Sequence, residues 1–208
     1  DAGMNAFRFS LEWARVEPKE GTYDTQAIEH YRHELRRLRQ RKLFTCVTLW
    51  HFTLPAWAAE RGGMEHPAVR SAFLQYVRRM CREYEGLVDM WITMNEPMVF
   101  AMEGYRWGTW PPGKQSRVRT WRMFATLAYL HRRTSHVLKQ CTHAPVGIAK
   151  SFITYHAMCR SDLPNRIVAW IKNVLWNDVF FWLTHETNDF IGVNYYIGKI
   201  IGPPKGKK

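Results

Sequence analysis

The sequence has few of the features that mark exported or membrane-spanning proteins. No apolar run in its 208 residues approaches the roughly 20 needed to cross a bilayer. Residues 1–4 carry no basic segment followed by an apolar stretch, which is the pattern of a secretory signal peptide. We therefore expect a soluble, cytoplasmic protein with no membrane partner. Because 46% of the residues are hydrophobic, we predict one folded domain over residues 1–208, with a disordered tail at 203–208.

Cysteine is also scarce, and its spacing argues against the usual sulfur frameworks. The four cysteines are far apart in sequence and form no CxxC pair, so we predict neither a disulfide frame nor a metal site. Each lies in an apolar or amphipathic stretch, which predicts buried thiols: Cys46, Cys81, Cys141 and Cys159. No glycine-rich turn follows the first predicted strand, which disfavours a dinucleotide site. No motif requires a cofactor.

Acidic residues are few relative to basic ones, which gives a formal net charge of +12. Such a charge can indicate an anionic partner such as nucleic acid. Much of the excess, however, lies on predicted helices whose apolar residues would face inward. We interpret these residues as solvated helix faces and expect no nucleic-acid partner. They are Arg32, Arg36, Arg37, Arg39, Arg41, Lys42, Arg78, Arg79 and Arg82.

Short apolar runs alternate with longer stretches of helical period, the order typical of a parallel sheet covered by helices. We predict strands at residues 7–13, 43–50, 88–94, 146–152 and 190–196. Helices are predicted at residues 25–42, 66–84, 119–139 and 164–183, the first with Thr25 as its N-cap. Right-handed β-α crossovers would let such units either fan into an open sheet or curl into a (β/α) barrel.

Polar and aromatic residues cluster where the predicted strands end. In a parallel barrel these carboxyl ends meet at one mouth, where reactive groups collect. Amide, imidazole and guanidinium groups beside aromatic rings are typical of a sugar site. For Glu96, before Pro97, a catalytic role and a helix-capping role are both open. The strand-end segments are Arg8 to Trp13, Trp50-His51, Asn95-Glu96 and Asn194-Tyr195-Tyr196.

Four segments resemble glycoside hydrolase family 1, the β-glucosidase family, and they occur in the family's order. The segment 91–97, Trp-Ile-Thr-Met-Asn-Glu-Pro, resembles the signature that carries the acid/base glutamate. The segments 7–13, with Arg15 and Glu17-Pro18, and 49–55 resemble the second-strand and third-strand motifs. The segment 189–196 resembles the sixth-strand motif. The resemblance implies an α/β fold, an incomplete or reduced (β/α)8 TIM-type barrel with about five parallel βα units.

The resemblance also implies roles for individual residues. Glu96 would protonate the leaving glycosidic oxygen and later activate water, while Asn95 and His51 would hold sugar hydroxyls. Arg8 and Tyr196 would orient a nucleophilic carboxylate. Glu12 and Trp13 are interpreted as packing and ion-pair residues, and Trp107 and Trp110 as either an aglycone platform or a lid. The predicted site comprises Glu96 as the catalytic residue and His51, Asn95, Arg8, Asn194, Tyr196 and Trp107 as substrate-binding residues.

The sequence also departs from the family, because it contains no Thr-Glu-Asn-Gly-like nucleophile motif. Whether Glu12, Glu103 or Glu186 could act as a second carboxylate is left open, although Glu186 is interpreted as an ordinary surface residue. The expected function is a β-glucosidase-like hydrolase of small-molecule glycosides with weak or altered activity. The alternative is a non-catalytic sugar-binding or self-assembling half-barrel module. The first and last strands would leave two unpaired sheet edges. These edges predict either a homo-oligomer or a half-barrel whose edges are covered by tails and loops.

Overall fold

Five parallel strands in sequential order form a curled half-barrel. The structure, a computed structural model, describes residues 3–202, so the tail predicted at 203–208 lies outside the described residues. The sheet order is β1-β2-β3-β4-β5, and every neighbouring pair is parallel. The partial-barrel architecture with five parallel units is confirmed. The strands are β1 (Ala6–Ser10), β2 (Phe44–Thr48), β3 (Met90–Asn95), β4 (Val146–Ala157) and β5 (Phe190–Ile201).

Helices connect the strands and cover the outer face of the sheet. The predicted helix 164–183 is divided in two by a π-helical turn, Val174–Asp178, and a second π-helical turn, Met102–Trp107, follows β3. The α-helices are α1 (Trp13–Val16), α2 (Thr25–Gln40), α3 (Ala56–Glu60), α4 (Pro67–Glu83), α5 (Pro97–Ala101), α6 (Arg117–Lys139), α7 (Leu163–Asn173) and α8 (Val179–Thr184).

The core lies between the sheet and these helices. Trp13 is buried at the start of α1, with its ring 5.4 Å from the ring of Phe73 and 5.5 Å from that of Tyr76. The buried stripe of α4 is the one that its helical period predicts. Gly147 lets β5 approach β4 closely, because a Cβ at this position would collide with the carbonyl oxygen of Phe190.

The N-cap of the first long helix lies one residue earlier than predicted. Asp24, not Thr25, is the N-cap of α2, because its Oδ1 accepts hydrogen bonds from the backbone N–H groups of Gln26 (2.8 Å) and Ala27 (3.0 Å). A carboxylate there also interacts favourably with the helix dipole. The helix ends at Gln40, before the predicted Lys42, which adopts a left-handed backbone with φ 59°.

The thiols are arranged differently from the sequence prediction. All four cysteines are free, but only Cys81 is buried, while Cys46 and Cys141 are half-buried. Cys159 is exposed, so the prediction of a buried thiol is wrong for this residue. It lies after the end of β4, which extends further than the pattern of short apolar runs indicates. Cys81 is buried, and desolvation together with the neighbouring Cys141 thiol raises its pKa to about 12. Cys81 and Cys141, which are 60 positions apart in sequence, are therefore spatial neighbours.

Two negative findings hold for residues 3–202. No helix in this range combines the length and the apolarity that a bilayer crossing requires. Within the same range, no group of three or more histidine, cysteine, aspartate or glutamate side chains is arranged to hold a metal ion.

Candidate active site

The carboxyl ends of the strands bring the predicted polar residues together. Glu96 directly follows the last residue of β3, and its backbone N–H donates to the carbonyl oxygen of Ala149 on β4 over 2.7 Å. Glu96 is buried, with only 6% of its surface exposed. A carboxylate at the mouth of a half-barrel, rather than on an outer helix, is thus the centre of the site.

Glu96 has an unusual backbone conformation. Its φ of 44° and ψ of 58° lie in the left-handed region, which costs a non-glycine residue about 1–3 kcal/mol. The following Pro97 disfavours the right-handed helical region for Glu96, and α5 starts at that proline. Although Glu96 occupies the N-cap position, its side chain makes no capping hydrogen bond. The helix-capping interpretation of this carboxylate is therefore wrong.

Two side chains from β5 hold the Glu96 carboxylate. Asn194 Nδ2 donates to Oε1 over 2.6 Å, and the hydroxyl of Tyr196 donates to the same oxygen over 2.8 Å. The bond to Glu96, together with some desolvation, raises the pKa of the Tyr196 hydroxyl. Oε2 receives no hydrogen bond from any residue in the described range. One carboxylate oxygen is thus fixed, and the other is available to a ligand.

An amide and guanidinium network supports this carboxylate. Asn95 Oδ1 accepts from Arg8 NH2 over 2.6 Å and from Asn194 Nδ2 over 3.2 Å. Arg8 also donates through NH1 to Asn194 Oδ1 (3.5 Å) and through Nε to Thr48 Oγ1 (3.4 Å). Since both bonds of Asn95 use its oxygen, the amide nitrogen Nδ2 has no acceptor among residues 3–202. It can therefore donate to a ligand.

His51 lies at the end of the neighbouring strand and is prepared to bind as a neutral imidazole. Its Nδ1 is 2.8 Å from the Oγ atom of Ser10, which is the last residue of β1. Desolvation lowers the pKa of His51, and the positive charge of Arg8 adds to this effect, while Glu96 and Glu12 oppose it. Ser10 was not among the predicted site residues, although its position at a strand end is the signal that could have identified it.

A cavity of about 860 Å³ opens beside His51. Its wall includes the aromatic rings of Phe52 and Trp110, whose centroids are 5.0 Å apart. Phe52 has a φ of 76°, which lies in the left-handed region of the backbone. Trp107 is 47% exposed and does not belong to the cavity lining. Of the two tryptophans in this loop, Trp110 is therefore the one that borders the cavity.

The other candidate carboxylates make contacts away from Glu96. Glu12 caps α1 through a 3.3 Å bond from the Ala14 N–H and accepts from Thr53 Oγ1 at 2.9 Å. Glu103 accepts from the hydroxyl of Thr109 within its own loop, and Glu186 is exposed beside His185. None of the three is hydrogen-bonded to the Glu96 cluster within residues 3–202.

A half-barrel of parallel strands with a carboxylate, amides, an imidazole and aromatic rings at its carboxyl end has the fold and the strand-end side chains of a glycosidase-like barrel. The family described as Glycosyl hydrolase family 1 matches residues 1–185. This chain belongs to that family, and the predicted resemblance to it is confirmed. The segments 7–13, 49–55 and 91–97 lie within the matched residues, and the segment 189–196 lies beyond them.

Curated relatives include both a transferase and a hydrolase. Galactolipid galactosyltransferase SFR2 of Arabidopsis thaliana is 28% identical over 94% of this chain and 34% of that protein. Beta-glucosidase A of Thermotoga maritima is 24% identical over 96% of this chain and 51% of that protein. The chain thus spans about half the length of the Thermotoga maritima enzyme and about a third of the length of the Arabidopsis thaliana transferase.

Solved structures show the same fold. A beta-glycosidase from Pyrococcus horikoshii superimposes with a TM-score of 0.86 at 30% identity, covering 92% of this chain and 48% of that one. A beta-glucosidase from Exiguobacterium marinum gives a TM-score of 0.86 at 25% identity, over 99% of this chain and 54% of that one. The five strands correspond to about half of a family barrel.

Proposed function

We propose that the chain is a β-glucosidase-like hydrolase of O-glycosidic bonds in which Glu96 is the general acid/base. The observation that carries this proposal is the buried Glu96 carboxylate at the end of β3, held through Oε1 by Asn194 and Tyr196. Its second oxygen, Oε2, has no donor in the described residues and is the atom that would deliver a proton to the leaving oxygen. Proton transfer needs an acid within hydrogen-bond reach of the substrate.

The surrounding groups would bind the glycone. The free Nδ2 of Asn95 and the imidazole of His51 would hold sugar hydroxyls, while Arg8 keeps Asn95 and Asn194 in position. Because the pKa of His51 is lowered, its neutral ring can both donate and accept at neutral pH. The rings of Phe52 and Trp110 would contact the apolar face of the aglycone or of a second sugar.

The expected activity is weak, because within residues 3–202 Glu96 is the one carboxylate in the hydrogen-bonded cluster with Asn95, Asn194 and Tyr196. A retaining glycosidase needs a second carboxyl group roughly 5 Å from the first, and an inverting enzyme needs one roughly 6.5–9.5 Å away. A positioned general acid alone contributes about 10² to 10⁴ in rate. Activated glycosides with good leaving groups are therefore the substrates for this chain.

The test is hydrolysis of an aryl β-glucoside and an aryl β-galactoside by the wild-type chain and by Glu96→Gln. We expect weak hydrolysis that the substitution abolishes, with Glu103→Gln as a control that retains it. Products are also analysed for transfer to an acceptor alcohol, because one relative is a galactosyltransferase. Hydrolysis that is identical in Glu96→Gln would exclude the acid role.

A non-catalytic sugar-binding or self-assembling half-barrel is the second candidate. The single carboxylate and the exposed strands at both sheet edges favour it. It predicts glucoside binding by calorimetry without turnover, and this binding should survive in Glu96→Gln but weaken in Asn95→Ala. Turnover that depends on Glu96 would rule this candidate out.

A further inference from the structure

Helix α6 carries positive charge without any acidic residue. Its 23 residues contain no aspartate or glutamate, whereas the other long helices, α2 and α4, mix both signs. The helix lies in the outer layer, and Arg119 in its first turn reaches the cavity beside His51. Its basic residues are Arg117, Arg119, Arg122, Arg132, Arg133 and Lys139.

The outer face of α6 has exposed apolar side chains with arginines on both sides. Val118 is 62% exposed and Tyr129 is 53% exposed, so both side chains face solvent. At about 100° per residue, these two side chains project along one line of the helix. Arg122 and Arg133 follow that line on one side, and Arg132 follows it on the other. Exposed apolar groups in such an ordered line indicate a contact surface.

The cations beside this apolar line are not neutralised by the protein. Arg119 and Lys139, nearer the ends of α6, face carboxylates at 3.9 Å and 2.6 Å. In contrast, Arg122, Arg132 and Arg133 have no ion-pair partner in the range 3–202. Their charge is therefore available to an anionic partner.

A groove of about 580 Å³ between α4 and α6 continues this surface. Tyr129 and Arg133 form its α6 wall, and Arg70 lies in its α4 wall. Arg70 NH1 is fixed by bonds to the carbonyl oxygens of Met64 (3.0 Å) and Glu65 (2.7 Å). Two guanidinium groups facing one concave space suit a phosphate group.

We propose that this face of α6, with the adjoining groove, docks on an anionic phospholipid surface. An apolar line flanked by arginines matches the layers of a bilayer interface, where apolar side chains enter the acyl boundary and cations reach the phosphates. A nucleic-acid backbone would match a continuous row of cations instead. The expectation of no membrane partner rested on the absence of a spanning segment, which surface docking does not require. This proposal is independent of the proposed function.

The test is cosedimentation of the full chain with vesicles of phosphatidylcholine alone and with vesicles that also contain phosphatidylserine. We expect binding only to the anionic vesicles, with a loss as salt is raised. Each guanidinium near an anionic surface is worth roughly fivefold in affinity. The triple variant Arg122→Gln, Arg132→Gln, Arg133→Gln should therefore bind on the order of a hundredfold more weakly.

Two controls separate a docking face from net charge. The triple variant Arg36→Gln, Arg37→Gln, Arg41→Gln removes the same charge from α2 and its C-cap, and it should bind almost as well as wild type. Tyr129→Ser keeps every charge and should still weaken binding several-fold. Equal loss in both triple variants, or equal binding to neutral vesicles, would overturn the proposal. The proposal would also be overturned if a duplex oligonucleotide displaced the vesicles and bound Tyr129→Ser as tightly as it binds the wild-type chain.

Discussion

Asn194 and Glu96 are 98 positions apart in sequence, and their side chains are joined by a hydrogen bond of 2.6 Å. The bond spans two strand pairings, from β3 across β4 to β5. The acid of the proposed site is therefore oriented by the last strand of the half-barrel. Loss of β5 pairing would free this carboxylate.

The Tyr196 hydroxyl should contribute measurably to the proposed activity. A hydrogen bond to a charged group is worth about 1.5–3 kcal/mol. Tyr196→Phe should therefore lower kcat/KM for an aryl β-glucoside about 10- to 100-fold. The matched control is Tyr195→Phe, because that hydroxyl contacts Thr154 at 3.0 Å instead of Glu96. An equal effect of both substitutions would contradict the role of Tyr196.

Buried His131 should make stability depend on pH on the acid side. Its ring nitrogens are 2.7 Å from Thr93 Oγ1 and 3.0 Å from Thr187 Oγ1, and burial lowers its pKa from 6.5 to about 4. The unfolded chain binds a proton near pH 6.5 and the folded chain does not. The contribution of neutral His131 to stability is therefore fully present above pH 6.5. As pH falls toward 4, the free energy of unfolding decreases by about 3 kcal/mol.

This dependence can be measured by urea unfolding across that pH range. His131→Gln should lower stability at pH 7 yet flatten the decrease between pH 6.5 and 4. His33→Gln, at an exposed position of α2, should leave the wild-type profile unchanged. A decrease that persists undiminished in His131→Gln would show that other groups cause it.

Lys150 should give a second pH dependence on the basic side. Its Nζ donates to the carbonyl oxygens of Trp176 (2.7 Å) and Ser151 (3.1 Å), and it lies 4.5 Å from the Phe152 ring centroid. Desolvation lowers its pKa from 10.5 to about 8, with Asp178 opposing the shift. Since the unfolded chain holds the proton more tightly, stability should rise as pH increases from 8 to 10.5.

Unfolding measurements with Lys150→Met test this expectation. The rise between pH 8 and 10.5 should disappear in the variant, because no buried amine is left to titrate. In the wild-type chain the ammonium group of Lys172 lies 5.5 Å from the Tyr155 ring centroid. The control variant Lys172→Met should retain the rise. A rise of equal size in both variants would assign it to other groups.

Much of the fold follows from residue pattern, but the contacts of the site do not. The stripe of α4 and the apolar runs of β2 and β3 are local signals, so their elements were predicted. The bond from Asn194 to Glu96 depends on strand register, including irregularities between Ile92 and Asn95 and between Phe152 and Ile153. No local pattern encodes that register. The approach of Cys81 to Cys141 is likewise a product of helix packing, which sequence spacing does not reveal.

The outer edge of β5 should drive self-association of the chain. Val193 is 65% exposed and Ile200 is 69% exposed on this strand, and a free strand edge can pair with another chain. At the opposite edge, Phe7 on β1 is also exposed. We therefore expect sedimentation velocity to show larger species as concentration increases.

A charge on the edge strand should oppose that pairing, because lysine at an edge carries its hydration shell into any new interface. Val193→Lys should shift the sedimentation profile toward monomer. Val168→Lys, on the exposed side of α7, is the matched control and should leave the profile unchanged. If the wild-type chain sediments as a monomer at every concentration, the edge does not pair. If the two variants dissociate equally, the contact is a general apolar one and β5 has no special part in it.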